Sequence, residues 1–157
     1  MAETIRLVDY FYILAPDKPG EGVCILSHLK EAGVNLLAFS GFPEGRRAQL
    51  VFVPADPAAF KAVAKKARWK VVGSKKGFLI QGEDRVGALV EILGKLSAAK
   101  INVTASDAVS AGAGQFGAIL WVKARDVRRA AKALGVAPAP VAAAPCPPQD
   151  KPSCGPS

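Results

Sequence analysis

The chain has 157 residues, and its 21 Lys and Arg side chains against 13 Asp and Glu give a formal charge of +8. Half of the residues are apolar and 22% are charged, which is typical of a globular chain and not of a disordered or fibrous one. The first apolar stretch is broken by Arg6 and Asp9 and the next by Asp17 and Lys18. We therefore expect no membrane-spanning segment.

The N-terminal residues and the cysteines indicate a reducing compartment. Residues 1–4 include an early acid and no basic region leading into an apolar run, so the layout of a secretory signal is missing and we expect a cytoplasmic protein. Three cysteines, two of them in a Pro-rich C-terminal segment, do not make a disulfide framework. A single His leaves few ways to build a metal site, and we expect neither metal nor cofactor.

The apolar patterns predict short strands and helices in a regular order. The first half contains, in chain order, a strand at 10–15, a helix at 20–32, strands at 34–42 and 47–54, a helix beginning after Asp56 and a strand at 69–72. The second half contains a strand at 77–82, a helix at 87–99, strands at 101–108 and 115–123 and a helix at 125–134. Prolines begin after Val136, so the last strand of this half is short or missing.

The two halves are copies of one unit. Asp17–Gly20 recurs as Asp84–Gly87 at a shift of 67 residues, and the same shift carries Asn35 onto Asn102. Gln49–Val53 matches Ala118–Val122 at a shift of 69, which predicts a two-residue insertion in the loop between. The element order βαββαβ is the ferredoxin-like arrangement, so we predict an α+β fold of two such repeats, each an antiparallel sheet with its helices on one face.

Composition sets the domain boundaries. We assign residues 5–73 to repeat 1 and residues 74–137 to repeat 2. Residues 138–157 hold seven of the twelve prolines without an apolar period, and we expect them to form a disordered tail. Residues 1–68 carry nine bases and seven acids (+2) and residues 69–137 carry eleven and five (+6), so the positive charge is concentrated in repeat 2.

These motifs resemble those of the ACT domain, a small regulatory module whose relatives bind amino acids. The resemblance covers roughly residues 8 to 135 and rests on the two Asp-containing turns and on Gly33-Val34-Asn35, which opens a strand. Repeat 2 departs from the pattern at Val86 and Lys100, where repeat 1 has proline and glycine. The resemblance implies a regulatory, non-enzymatic protein that binds a small molecule, with an effector protein encoded elsewhere.

The two turns supply a physical argument for a ligand site. Each leads into the first turn of a helix, whose backbone N–H groups can receive a carboxylate, and glycine allows close approach. The resemblance implies that the ligand lies between this turn in one domain and the start of the second strand in its neighbour, where Asn offers a donor and an acceptor. The candidate ligand-binding residues are Asp17, Lys18, Gly20, Gly22, Asn35, Asp84, Arg85, Gly87 and Asn102. In the alternative interpretation, the glycines only shape turns and the asparagines stabilise helix-to-strand connections.

Pairing of the repeats would cover open sheet edges. Side-by-side docking predicts a continuous sheet of up to eight strands with a groove between the domains. A missing last strand in repeat 2 would leave one edge uncovered, and we expect that edge to pair with a second chain in a symmetric homodimer.

Other functions are less well supported by the residues. Basic stripes on the second and fourth helices suggest an RNA-binding module, but the candidate strands lack its aromatic pattern. Gly112–Gly117 spells G-x-G-x-x-G, yet it opens a strand and not a helix, so we interpret it as a turn. Cys24 and His28 stand one helical turn apart on a solvated face without a third ligand. No catalytic set is apparent.

Overall fold

The computed structural model describes residues 3–136, so the predicted tail at 138–157 lies outside the described residues. Over this range the chain forms one six-stranded antiparallel sheet and four α-helices. The strands are β1 (Thr4–Pro16), β2 (Leu36–Glu44), β3 (Arg47–Pro54), β4 (Val71–Glu83), β5 (Val103–Gly112) and β6 (Gln115–Val122). The helices are α1 (Glu21–Glu31), α2 (Pro57–Lys66), α3 (Ala88–Ala98) and α4 (Val127–Leu134).

The strand order β2-β3-β1-β4-β6-β5 places the two ferredoxin-like halves side by side, which confirms the predicted fold class. Helices α1 and α2 cover the first half, where Phe11 of β1 stacks on Phe60 of α2 with ring centroids 4.8 Å apart. Helices α3 and α4 cover the second half through a cluster that includes Ile92 and Leu96. Odd-numbered residues of β1 contribute to both clusters, so all four helices lie on one face of the sheet.

The two central strands are long because each serves both halves. β1 and β4 have 13 residues each, and Phe11–Pro16 of β1 pairs with β3 on one side. The earlier residues of β1, Thr4–Tyr10, pair with Gln81–Lys75 of β4. The predicted boundary between residues 73 and 74 therefore falls inside an element that both halves share.

The pairing of the N-terminal part of β1 with β4 corrects one prediction. No strand follows α4 within residues 3–136, but Thr4–Asp9 lies beside β4 in the place that such a strand would take. The uncovered edge predicted for repeat 2 is therefore closed by the N-terminal segment of the same chain. The sheet is continuous across both halves and has six strands, with β2 and β5 at its edges.

The repeat register also differs from the sequence alignment in the third strand. Phe52 lies opposite Phe11 and Leu120 opposite Phe78, so β3 corresponds to β6 at a shift of 68 and not 69. A shift of 69 would match residues on opposite faces of the sheet. The extra residue is accommodated by a bulge between Ser110 and Gly112 in β5, and not by a longer loop.

The face opposite the helices is curled and largely covered. Val51, Val53, Leu79, Ile119 and Trp121 form a third buried cluster on this side. The two edge strands, β2 and β5, approach each other on this face of the sheet. Ser40 Oγ of β2 donates a hydrogen bond to Asp107 Oδ2 of β5 at 3.0 Å. These two residues occupy the same position in the two repeats, so the sheet curls about a pseudo-twofold axis that passes between them.

Gly33 and Lys100 offer a matched test of the helix-to-strand turns. Both adopt the left-handed conformation, with φ of 71° and 56°, but only glycine does so without a steric penalty. We expect Lys100→Gly to raise the free energy of unfolding by about 1 kcal/mol and Gly33→Lys to lower it by a similar amount. Urea denaturation of both variants would measure this, and changes of the same sign would contradict it.

Asp9 links the two long strands through polar contacts. Its carboxylate accepts a hydrogen bond from Ser74 Oγ and lies 2.8 Å from Lys76 Nζ. Burial by itself raises the pKa of Asp9, but the hydrogen bonds from Lys76 and Ser74 outweigh it, and the pKa is lowered overall.

A lowered pKa in the folded state predicts a defined pH dependence. The contribution of Asp9 to stability is complete above the ordinary aspartate pKa of about 3.9 and is lost as the pH falls through the lowered folded value. We expect Asp9→Asn to lower the free energy of unfolding at neutral pH by about 1 kcal/mol and to flatten its acid dependence. Denaturation curves from pH 7 down to acid would check both effects, and an unchanged slope would contradict the assignment.

Candidate functional site

The turn of repeat 2 connects the end of β4 to the start of α3. Its glycine, Gly87, occupies the N-cap of α3 at φ 79°, and no side chain caps the helix. The Asp84 N–H donates to Gly114 O at 2.8 Å, and Ser110 Oγ donates to Asp84 Oδ2 at 2.6 Å. The turn is therefore tied to the β5–β6 hairpin at both its backbone and its side chain.

An open cavity of about 290 Å³ lies between this turn and β5. Three of the predicted ligand-binding residues, Asp84, Arg85 and Gly87, line it. The remaining wall consists of residues that the sequence patterns did not indicate: Ala88, Leu89, Val90, Ala108, Val109, Ser110 and Phe116. The cavity thus combines a helix N-terminus, a carboxylate and an apolar wall.

Charge at the cavity is largely balanced by internal ion pairs. Arg85 Nη2 lies 2.9 Å from Glu91 Oε1 and 3.4 Å from Glu3 Oε1. The guanidinium is therefore held by two carboxylates. In the first turn of α3, the Ala88 N–H donates to Arg85 O at 3.1 Å and the Val90 N–H to Gly87 O at 2.9 Å, which leaves the Leu89 N–H as the donor available to a ligand. Val90 and Val109, which line the cavity, are exposed, and so is Val86 in the turn.

The corresponding turn of repeat 1 is more open. Asp17, Lys18 and Gly20 are all exposed, and Lys18 Nζ lies 3.2 Å from Glu21 Oε1. Gly20 is the left-handed N-cap of α1 at φ 95°, again without a side-chain cap. A Cβ at Gly20 or at Gly22 would meet nothing within 4 Å, so close packing does not explain either glycine.

The two asparagines lie away from the turns of their own repeats. Asn35 precedes β2, and its carbonyl accepts a hydrogen bond from the Ala55 N–H at 2.9 Å. It follows the C-terminus of α1, whose 11 residues span about 16 Å from the Asp17–Gly20 turn. Asn102 has the same position before β5 and is not among the residues that line the cavity at Asp84–Gly87.

The structure leaves little room for the RNA-binding alternative on the sheet. RNA-recognition modules stack bases on an open sheet face, whereas here that face curls over its own apolar cluster. In the basic stripe of α4, Arg129 Nη1 binds Asp126 at 2.9 Å and Arg129 Nη2 donates to Ala99 O at 2.8 Å. Part of the stripe is therefore engaged within the protein.

The remaining motifs have ordinary structural roles. Gly112–Gln115 forms the β5–β6 hairpin turn, so the G-x-G-x-x-G segment does not open a helix. His28 Nδ1 lies 2.8 Å from Cys24 O, and Cys24 is exposed. Within residues 3–136, no group of three His, Cys, Asp or Glu side chains is placed to hold a metal ion. No helix in this range is long and apolar enough to cross a membrane.

Comparisons with known proteins identify the class of fold. The sequence matches no family model, and no curated protein matches it. Solved structures do match over most of the chain. The protein BT0572 from Bacteroides thetaiotaomicron aligns with a TM-score of 0.73 at 17% identity, covering 83% of this chain and 88% of that one.

Two of the other matches are regulatory subunits. The ligand-free regulatory subunit of aspartate kinase from Thermus thermophilus aligns with a TM-score of 0.59 at 13% identity, covering 86% of this chain and 96% of that one. The regulatory subunit of aspartate kinase from Thermus flavus aligns with a TM-score of 0.54 at 16% identity, covering 85% and 94%. The chain therefore has an ACT-like fold.

Proposed function

We propose that the chain is an amino-acid-binding regulatory protein whose ligand occupies the cavity at the Asp84–Gly87 turn. One observation carries this proposal: α3 begins at a left-handed glycine without a side-chain cap, at a cavity of about 290 Å³. A helix N-terminus with uncapped N–H groups is a favourable place for a carboxylate. The fold of the aspartate kinase regulatory subunits supports a regulatory role for this one.

The chemistry of the cavity suits a zwitterion. The ligand carboxylate would accept a hydrogen bond from the Leu89 N–H at the positive end of the α3 dipole, and its ammonium would face the Asp84 carboxylate. Ser110 holds that carboxylate in place through the 2.6 Å hydrogen bond. The side chain of the amino acid would lie along the apolar surface formed by Ala108, Val109 and Phe116.

Regulation would act through a second protein. Ligand contacts that differ between two arrangements of this chain would couple occupancy of the cavity to binding of an effector. We propose binding without a catalytic step at this site, with Ser110 serving to hold the Asp84 carboxylate through its hydrogen bond.

A thermal-shift screen against the twenty amino acids tests the proposal. A ligand that binds only the folded state raises its stability by about 2.7 kcal/mol at a concentration of 100 Kd, so a few amino acids should raise the Tm and the rest should not. A flat response to all twenty would overturn the proposal.

Two matched variants locate the site. Asn tolerates the left-handed conformation better than other side chains, so Gly87→Asn places a side chain at the carboxylate position without forcing a new backbone. We expect it to abolish the ligand-induced rise in Tm, whereas Gly20→Asn in repeat 1 should leave the rise intact. The reverse pattern would move the site to the Asp17–Gly20 turn.

We further propose that two chains associate through a sheet edge. β5 is an edge strand whose residues are almost all exposed, and Val109 on it is 68% exposed beside the cavity. Light scattering at tens of micromolar should give twice the monomer mass, and Val109→Lys should return it to the monomer value. A monomeric mass for the unmodified chain would contradict this.

A further inference from the structure

A second cavity lies on the opposite face of the sheet, away from the helices. It has a volume of about 270 Å³ and is lined by residues from both repeats. Three of them are aromatic and come from three different strands: Tyr10 of β1, Phe42 of β2 and Trp121 of β6. We call this cavity the aromatic groove.

The rings of Tyr10 and Phe42 each stand nearly at right angles to the ring of Trp121. The centroids of Tyr10 and Trp121 are 6.0 Å apart with 73° between the ring planes, and those of Phe42 and Trp121 are 6.3 Å apart with 83° between them. Rings in this arrangement present faces and edges from several directions to one small volume. Such an enclosure attracts cations through the negative faces of the rings.

The polar residues of the groove favour a positive charge as well. Glu44 lines the groove and is exposed, and it forms no ion pair within residues 3–136. Gln49 supplies an amide at the same wall. Outside the groove, Lys75 Nζ lies 5.1 Å from the centroid of the Tyr12 ring, which is a cation–π contact within the protein itself.

The other repeat provides an internal comparison. A second cavity of about 260 Å³ is lined by Ser40 and Asp107 and by residues equivalent to several in the aromatic groove. The positions that correspond to Tyr10, Phe42, Trp121, Glu44 and Gln49 hold Gly77, Val109, Val53, Gly112 and Gly117, of which Val109 and Gly117 line this second cavity. None of these five residues is aromatic or acidic, so the fold of the repeat does not require such side chains at these positions.

The position of Trp121 leaves its indole N–H buried without a hydrogen-bond partner among the described residues. Its ring packs against Gly77, where a Cβ would lie only 3.3 Å from both Cδ1 and Nε1. The buried Nε1 finds no hydrogen-bond partner among the described residues. A buried donor without a partner is unfavourable, so the contribution of this residue lies in its ring and not in its N–H.

We infer that the aromatic groove binds a small N-methylated ammonium cation. The groove is lined by three aromatic rings and a single carboxylate, that of Glu44, so it suits a cation that is held by ring faces and charge. A quaternary ammonium needs no hydrogen bonds and gains from ring faces and a nearby carboxylate. This site is separate from the Asp84–Gly87 cavity and does not depend on the function proposed there.

Titration with choline followed by NMR tests the inference on the full chain. The chain has two Trp, and the indole N–H signal of Trp121 is assigned by comparison with Trp69→Phe. We expect choline to shift this signal to saturation, and its uncharged isostere 3,3-dimethylbutan-1-ol to bind about tenfold more weakly. Sodium chloride at equal ionic strength serves as the reference titration.

Three variants make the test specific. Phe42→Leu should weaken choline binding about tenfold by removing one ring, and the exposed Glu44→Gln should weaken it about threefold. Phe39→Leu, the same change on β2 but outside the aromatic groove, should leave it unchanged. Equal binding of choline and its isostere would show an apolar groove without cation selectivity. That result, no saturable shift, or binding insensitive to Phe42→Leu would each overturn the inference.

Discussion

Removal of residues 1–9 is expected to prevent the second half of the protein from folding. These residues provide the strand that pairs with Gln81–Lys76 of β4, and Ile5 and Leu7 pack on the cluster beneath α3 and α4. Loss of this strand exposes the edge of β4 together with apolar surface. We expect the free energy of unfolding to fall by about 4 kcal/mol or more, measured by urea denaturation and by loss of dispersed NMR signals from β5 and β6.

Complementation in trans distinguishes loss of this strand from a general effect of truncation. A synthetic peptide of residues 1–9 should restore the missing signals, because its backbone can pair again with β4. The same peptide with Leu7→Asp should fail, since a carboxylate would face the apolar cluster. A truncated chain with an unchanged unfolding transition would show that Thr4–Asp9 adds nothing to the second half.

The order of elements was predictable because it depends on local patterns. The apolar spacing of Ile25 and Leu29 defines α1 whatever the helix packs against, and Pro57 after Asp56 marks the start of α2. In the structure the Asp56 side chain accepts hydrogen bonds from the Ala58 and Ala59 N–H groups at 3.0 and 3.1 Å. The duplication repeats the turn and the apolar helix pattern in both halves, so the fold class could be predicted from a single sequence.

The pairing of the N-terminal part of β1 with the second half of the protein was not predictable in the same way. Residues 4–16 form one uninterrupted strand, and nothing in their composition separates the part that pairs with β3 from the part that pairs only with β4. The choice is made by distant residues, because the second half lacks a strand after α4 within residues 3–136 and β4 is long enough to accept a partner along its whole length. Nonlocal pairing of this kind is decided by tertiary contacts.

The candidate site shows the same division between local and nonlocal information. Gly87 adopts a left-handed conformation at the start of α3, and glycine is the residue that adopts it most easily. A glycine at this point of the sequence therefore predicts the turn. The opposite wall of the cavity depends on the bulge that sets the register of β5, and Ser110 beside that bulge holds Asp84. The register of an irregular hairpin is hard to infer from residue types, so this wall was missed.

Gly73→Ala is expected to destabilise the protein by about 2–4 kcal/mol, because Gly73 lies at an irregularity in the pairing of the two long strands. The register between β1 and β4 shifts between Tyr10 and Tyr12, and Gly73 adopts φ 131° there. An added Cβ would lie 2.8 Å from the Tyr10 carbonyl oxygen and 3.1 Å from Phe11 Cδ1. Neither neighbour can move easily, since one is strand backbone and the other is a buried ring.

A second strand glycine provides the control for this effect. A Cβ added at Gly117 of β6 would meet no atom within 4 Å, and φ there is not positive, so Gly117→Ala should change stability by less than about 0.5 kcal/mol. Comparison of the two variants by urea denaturation separates the crowding and backbone conformation at Gly73 from the general effect of adding a methyl group to a strand. Equal effects would show that the register shift between β1 and β4 tolerates a side chain. The two strands would then be held together by the regular β-sheet pairing on either side of the shift.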